Sequence, residues 1–352
     1  MRQPDLSIIV PTLNEAKTLP LLVADLAGQK GIDLEVIVSD GGSTDSTAEV
    51  AKTILAGEDL PGTCLVGPAG RGRQLNAGAA AARADWLLFL HADSRLPDHS
   101  QLQQALHVIQ GQQERTGTDT TAGRFALRFE REPGDDSFAL FYYESKARLG
   151  RAGCIHGDQG MLFRKTFFAK VGPFREDLPV MEDTALAEQV RKHGKWLLLP
   201  GEIITSARRF AIEGWGARQT LNALMMNFLA IGWLDFFVKA PEVYRQQDKT
   251  KPLQLGPFYR QIMELLASMS WQKRWSLWFA TGTYVRGQAW QIGLALDCRK
   301  AYQRNLAYPQ DPGAWLRGFD RWFEPLTNHR VGCFITALLV RLWFAAQLRR
   351  RS

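Results

Sequence analysis

Trp86-Leu87-Leu88-Phe89-Leu90 is an uncharged run of large apolar side chains that passes without a break into His91-Ala92-Asp93-Ser94. A run of that length and composition reads as a strand buried on both faces. Such a strand belongs in an α/β sheet covered by helices. In open sheets of that class, ligands bind beyond the carboxyl ends of the strands, so Asp93 is delivered to the end where chemistry takes place. A carboxylate there suits a hard divalent cation that neutralises a diphosphate. It equally suits a turn or a helix N-cap.

Two further strand ends bear on that choice. Leu6-Ser7-Ile8-Ile9-Val10 ends at Pro11-Thr12-Leu13-Asn14-Glu15, and helical spacing follows through Leu19, Leu22 and Leu26. Glu35-Val36-Ile37-Val38-Ser39 ends at Asp40-Gly41-Gly42-Ser43-Thr44-Asp45. There Ser43 or Thr44 can cap the next helix, and the glycines let backbone approach a ligand. One acidic strand tip is ordinary βα-loop chemistry. Three at βαβ spacing are better explained by a shared nucleotide site.

Gly67-Pro68-Ala69-Gly70-Arg71-Gly72-Arg73-Gln74-Leu75-Asn76-Ala77-Gly78 runs into an alanine-rich helix at 79–82. Small residues, two guanidiniums and a helix start make an anion-binding composition, or else a flexible surface loop with solvated arginines. Glu182-Asp183 precede a helical pattern through Leu186 and Val190 that ends near Gly194. A sequence rich in Gln, Thr and Gly over 111–121 is the best candidate for a mobile loop. The alternation over 124–129 reads as a half-exposed strand.

These motifs, taken in order with Gly157-Asp158-Gln159-Gly160, resemble the family 2 glycosyltransferases of the GT-A fold over roughly the first two thirds of the chain. His91-Ala92-Asp93, Gly157-Asp158-Gln159-Gly160 and Ser206-Ala207-Arg208-Arg209-Phe210 together are similar to the subgroup called radical-SAM/selenodomain-associated transferases. The resemblance implies a mixed, Rossmann-like sheet flanked by helices and a nucleotide-diphosphate sugar donor, UDP being the commonest in the family. It sets Pro11, Thr12, Asn14, Glu15, Asp40, Gly41 and Gly42 against base and ribose, with Arg71, Arg73, Asn76, His91, Ala92 and Asp93 completing the nucleotide site. Asp93 matches the last carboxylate of the family's acidic metal motif and is expected to hold Mg or Mn. His91 departs from the pattern, since many relatives have Asp there. Imidazole adds no negative charge, but it can bond a ribose hydroxyl or ligate a softer metal.

The resemblance further implies that Asp183, with Glu182 as its neighbour, is the general base that takes the acceptor hydroxyl's proton, in one displacement that inverts the sugar carbon. His156, Gly157, Asp158 and Gln159 are expected to shape the acceptor pocket. Arg208 and Arg209 are expected to meet the departing diphosphate. Processive relatives carry Gln-x-x-Arg-Trp, and Ala207-Arg208-Arg209-Phe210 has no matching Gln, which disfavours polymer synthesis. The alternatives are a nucleotidyltransferase of related fold, and a non-catalytic membrane-associated scaffold that keeps the nucleotide pocket.

At 352 residues and 45% hydrophobic, the chain can bury one large domain with an appendage. A catalytic domain over 1–240 and a basic, Trp-rich helical region over 241–352 are expected. Residues 1–240 hold 26 Lys/Arg against 29 Asp/Glu, whereas 241–352 hold 17 against 7 and seven of the eleven tryptophans. Helices are expected at 258–269, 274–296, 314–323 and 331–348. Such helices suit an anionic membrane surface, or they pack as a subdomain or a dimer interface. Arg341, in the middle of 331–348, argues against a span. No recognition motif accompanies the charge, so nucleic acid is not an expected partner. Four cysteines without metal spacing point to a reducing compartment. Because Met1-Arg2-Gln3-Pro4-Asp5 enters the first strand at once, no signal peptide is expected. The expected location is cytoplasmic, with peripheral attachment to the inner face of the cell membrane, and a lipid-linked acceptor would accord with it.

Overall fold

A computed structural model of the chain describes residues 2–57, 60–131, 137–247, 250–308 and 313–349. It divides into two units, one made of 1–135 and 147–206, the other of 136–146 and 207–352.

The first unit is a seven-stranded sheet in the order β3-β2-β1-β4-β6-β5-β7. Its elements are β1 (Leu6–Thr12), α1 (Leu19–Ala27), β2 (Leu34–Asp40), α2 (Thr47–Leu55), β3 (Gly62–Val66), α3 (Arg71–Ala81), β4 (Trp86–Phe89), α4 (Gln101–Thr116) and β5 (Thr121–Glu130). After α5 (Phe138–Ala147), most of which falls in the second unit, come β6 (Met161–Arg164), α6 (Lys165–Val171), α7 (Glu182–His193) and β7 (Lys195–Ser206). Every pairing is parallel except those of β6, which runs antiparallel to β4 and β5. The expected mixed sheet with helices on both faces, the GT-A arrangement, is what forms.

Strand alternation divides the core in two. Ile8, Val10, Val36, Val38 and Leu88 join one buried cluster with Leu22 of α1 and Leu102 of α4. Ile9, Ile37, Leu87 and Phe89 join the other with Leu75 of α3, Phe168 of α6 and Leu186 of α7. Pro11 is tolerated in this central strand because β4 pairs with β1 only from Ser7 to Ile9, so its missing N–H breaks no ladder bond on that side. Helix α3 lies close to the sheet: a Cβ on Gly78 would come 2.4 Å from Ile9 Cγ2.

Three local expectations change. Residues 111–116 complete α4, which stops at Gly117 in the left-handed conformation (φ 64°), and buried Gln113 donates to the Asp119 and Thr121 carbonyls at 3.4 Å. β5 is buried through Leu127 rather than half-exposed, because both of its faces are covered. The helix placed at 79–82 starts at Arg71, so Arg71, Arg73 and Asn76 are helical residues. Gly70 and Gly72 suggest flexibility, but Gly72 is there for a close approach, since a Cβ would meet Arg175 O at 2.7 Å.

The second unit is helical. It contains α8 (Arg208–Glu213), α9 (Trp215–Ala230), α10 (Asp235–Arg245), α11 (Gly256–Ala267), α12 (Trp271–Gly287), α13 (Trp290–Gln303), α14 (Ala314–Gly318), a π-helical turn over Phe319–Phe323, α15 (Glu324–Thr327) and α16 (Arg330–Arg349). The helix expected at 274–296 is two helices, parted at Gln288-Ala289. The division also falls at Ser206 rather than 240. The charge step at 240 marks composition, whereas packing ties α8–α10 to the later helices: Asn227 bonds Thr281 at 3.2 Å and Gln261 bonds Phe236 O at 3.1 Å. Helix α5 joins them through rings, with Phe141 stacked on Tyr308 at 5.1 Å and Phe138 edge-on to Tyr302 at 5.5 Å.

Candidate active site

In the first unit, β1, β2 and β4 end together, α3 and α7 begin, and the start of β6 pairs with the end of β4, Phe89 opposite Met161. That register brings Gly157-Asp158-Gln159-Gly160 beside His91-Ala92-Asp93. A Cβ on Gly157 would lie 2.8 Å from His91 Nε2 and 2.9 Å from Asp183 Oδ2, so Gly157 is bare where imidazole and carboxylate converge. Asp93 occupies the turn closed by the Ser94 N–H on His91 O at 3.1 Å.

Asp183 is buried and accepts from the Gly157 N–H at 2.8 Å and the Thr184 N–H at 2.7 Å. Burial opposes its charge, but Arg71, His156, the Gly157 N–H and His91 prevail and hold its pKa down to about 2. Arg71 bonds Glu182 through Nε, with Nη2 3.7 Å from Asp183 Oδ2. Burial works against the Arg71 charge too, yet Asp183, Glu182 and Asp158 raise its pKa. Glu182 is fully buried with Oε2 unpartnered, and burial raises its pKa despite Arg71. Asp158 is pushed up to about 7 by burial and by the Asp183 and Asp93 carboxylates, and its Oδ1 is buried without a partner. His156 Nδ1 lies 2.9 Å from Thr184 Oγ1. Glu182 and Asp183 are the first two residues of α7, where negative charge meets the helix dipole favourably.

The tips of β1 and β2 are laced together. Asn14 adopts φ 59° and its Oδ1 accepts from the Thr44 N–H at 2.8 Å, while its own N–H donates to Ser43 Oγ at 2.8 Å. The Glu15 N–H donates to Thr47 Oγ1 at 2.8 Å. Helix α2 is entered through Asp45, whose Oδ1 takes the Thr47 N–H at 3.0 Å, rather than through a Ser43 or Thr44 cap. Asp40 is buried and holds the loop: Oδ1 accepts from the Gly42 and Ser43 N–H groups at 3.0 and 2.9 Å, and Oδ2 from the Thr12 and Ser43 hydroxyls. A base N–H would have to displace one of those hydroxyls, both of which can rotate.

Several expected ligand residues turn out to hold protein. Asn76 exchanges bonds with Phe174, N–H to Oδ1 and Nδ2–H to O, both 2.9 Å, and with Arg73 it engages Glu176. Gln159 is buried, donating to Cys154 O at 2.7 Å and accepting from Arg124 at 3.0 Å. Its amide is therefore committed to protein partners. Arg208 and Arg209 open α8 of the second unit, where the Arg209 charge acts on Tyr244, whose hydroxyl bonds Glu213.

Sequence reasoning missed Gln74. Buried on α3, it donates from Nε2 to Thr12 O at 2.8 Å and Ser39 O at 2.7 Å, clamping the tips of β1 and β2. Gly41 is bare beside it, since a Cβ there would meet Gln74 Oε1 at 2.9 Å. The available signal was a glutamine one residue before Leu75 on a face otherwise given to Gly78 and Ala79.

Among the described residues no three His, Cys, Asp or Glu side chains form a protein-only metal cage. The acidic group does fit a cation shared with a ligand: Mg²⁺ is commonly held by one or two carboxylates plus substrate phosphates, and Asp158 presents an unpartnered oxygen near Asp93.

The family model described as glycosyl transferase family 2 matches residues 7–172. The PGL/p-HBAD biosynthesis glycosyltransferase of Mycobacterium tuberculosis is 30% identical over 187 residues, covering 52% of this chain and 68% of that protein. An uncharacterized glycosyltransferase of Nostoc is 25% identical over 178 residues, 48% of this chain and 53% of its own. Among solved structures, the mannosyltransferase PcManGT from Pyrobaculum calidifontis, in complex with GDP-Man and Mn²⁺, aligns with a TM-score of 0.48 at 18% identity, over 97% of this chain and 88% of that one.

Proposed function

This chain belongs to glycosyl transferase family 2 and is a glycosyltransferase, and on that premise we propose that it transfers one sugar from a nucleotide-diphosphate sugar to an acceptor hydroxyl by a single inverting displacement. The observation that carries the proposal is Asp183: a buried carboxylate kept ionised by Arg71, His156, the Gly157 N–H and His91, at the carboxyl ends of three strands. An ionised carboxylate there accepts the proton of an attacking hydroxyl, which raises the oxygen's nucleophilicity as the bond to the anomeric carbon forms. Its two backbone donors fix its direction. Glu182 then neutralises Arg71 and keeps that guanidinium from being spent on Asp183 alone.

The donor would lie along the laced tips of β1 and β2, with the base toward Asp40 and its diphosphate toward Asp93. UDP is the proposed nucleotide. Asp93 is the residue proposed to hold Mg²⁺ or Mn²⁺, with Asp158 beside it. The cation would neutralise the charge that grows on the departing diphosphate. His91 and His156 would then orient hydroxyls of donor and acceptor. The assignment to the radical-SAM/selenodomain-associated subgroup rests on the motif combination alone.

The test is incubation of the purified chain with UDP- and GDP-sugars, a panel of hydroxyl acceptors and Mn²⁺, followed by nucleoside diphosphate release and by NMR of the product's anomeric centre. Release of nucleoside diphosphate with inversion supports the proposal. Release of diphosphate from a nucleoside triphosphate and a sugar phosphate would instead identify a nucleotidyltransferase.

A further inference from the structure

Within the second unit, α16 shows solvent a continuous apolar stripe. Val331, Ile335, Leu338, Leu339, Leu342 and Trp343 recur at helical spacing and are 38–67% exposed. By length and composition the helix is apolar enough to cross a membrane, and most of it is uncovered. The opposite side packs on α12: a Cβ on Gly282 would meet the Ala337 backbone at 2.5 Å, and Trp278 lies 5.6 Å from Phe344.

The stripe is accompanied by positive charge. Trp271, Arg274, Trp275 and Trp278 of α12 and Arg341 of α16 line an open cleft of about 350 Å³. Arg274 uses two donors on Ala267 O at the end of α11 and Met269 O just beyond it, both 2.9 Å away, which holds its guanidinium in place. Arg341 is exposed and has no carboxylate partner among the described residues. Neither helix contains Asp or Glu, while together they carry Lys273, Arg274, Arg286, Arg330, Arg341 and Arg349. Arg286 is neutralised by Glu324 at 2.8 Å.

A second copy of the chain laid on this face would bring the same cations against themselves. An anionic bilayer answers both halves of the surface. Acyl chains take the apolar stripe, lipid phosphates take the guanidiniums, and tryptophan rings sit at headgroup depth. Trp271, Trp315 and Trp322 are 73%, 57% and 69% exposed, as such anchors would be. We propose that α12 and α16 lie in the headgroup plane of an anionic lipid bilayer, with the cleft between Trp271 and Arg341 receiving a lipid phosphate.

The full chain is sedimented with vesicles of phosphatidylcholine alone, or of phosphatidylcholine with roughly one third phosphatidylglycerol, at low and high salt. Binding is expected to the anionic vesicles at low salt, at least about tenfold stronger than to neutral ones, and reversed by high salt or alkaline carbonate. Arg341→Glu should weaken it roughly tenfold or more, Arg341→Gln by less, and Leu339→Asp should weaken it by blocking insertion. UDP binding, followed by thermal shift, should be the same in all three variants, which separates lipid binding from misfolding and from the donor site. Inorganic phosphate should not compete. Equal binding to neutral vesicles, competition by phosphate alone, resistance to alkaline carbonate, or a lipid-independent dimer dispersed by Leu339→Asp would each overturn the proposal.

Discussion

Arg71 and Glu182 are each the first residue of a helix, α3 and α7, and their side chains form an ion pair across 111 residues of sequence. Glu182 is well placed at a helix start, and Arg71 is not, because the positive end of the dipole repels it. The guanidinium is held by carboxylates, with Asp183 3.7 Å away as the second. Arg71→Ala would leave Glu182 buried with no cation. Because the Arg71 side chain is itself 37% exposed and water screens the pair, the loss should be about 1–3 kcal/mol, and Arg71→Lys should recover part of it in a chemical-denaturation titration.

The neighbouring carboxylates should separate in kinetics. Asp183→Asn is expected to lower turnover by roughly 10²–10⁴ with UDP affinity little changed, since proton removal is lost and donor contacts are not. Glu182→Gln should act mainly on stability. A large turnover loss in Glu182→Gln with a small one in Asp183→Asn would move the base by one residue.

Asp158 gives stability a pH dependence of definite sign. Its pKa rises from 3.8 to about 7 on folding, so the folded state holds an extra proton between those values. Its contribution is complete below about pH 4 and is lost as pH climbs through 7. Asp183 has the opposite sign: lowered from 3.8 to about 2, it stabilises above pH 4 and its contribution disappears in acid. Melting curves of Asp158→Asn should lack the loss between pH 4 and 7 and leave the acid limb in place.

Removing Gln74 takes a donor from two buried carbonyls at once, of which Thr12 O keeps the Gly41 N–H at 2.9 Å. Gln74→Leu should destabilise by about 1–3 kcal/mol, since two buried hydrogen bonds are lost at roughly 0.5–1.5 kcal/mol each. UDP affinity should fall with it, because the tips of β1 and β2 lose their clamp. Gln74→Glu, which keeps the shape but offers no N–H, should behave no better. Isothermal titration alongside denaturation checks both effects.

Divalent cation should strengthen UDP binding in the wild type, and Asp93→Ala should abolish that increment while leaving metal-free binding intact. Thermal shift with UDP, with and without Mn²⁺, measures it. Equal increments in both proteins would remove Asp93 from the cation site.

How much of this was legible in the sequence follows from the range of the forces involved. Ile8, Ile37 and Leu88 announce buried strands by local pattern alone, and the carboxyl ends of those strands locate the site. Asp183 and Gly157, named together from their motifs, do lie together in the fold, and the structure adds the reason Gly157 has no side chain. What could not be read was who holds whom. Asn76 looks like a phosphate ligand in sequence and pairs with the Phe174 backbone in the fold. Asp40 looks available and is already fully bonded. Gln74 looks like a surface residue and is a buried clamp. For Asn76 and Gln74 the deciding partners lie tens of residues away, where no local periodicity reaches, whereas Asp40 is taken up mostly by Gly42 and Ser43 of its own loop, through a turn that apolar patterning does not report. The start of α3 was misplaced for a related reason, because Gly72 is set by Arg175 rather than by its neighbours.

Helix α5 leaves from one strand of the sheet and returns to another, yet Phe138, Phe141 and Glu144 meet Tyr302 and Tyr308, the Glu144 bond spanning 164 positions. Heredity is constrained by that detour. A gene fragment ending after Ser206 would encode the whole sheet and still translate α5 with its aromatic partners missing. The helical half is therefore not a cassette that recombination at one junction could add or delete. A chain without those helices would leave Phe138 and Phe141 uncovered, so their removal would call for a polar α5 as well.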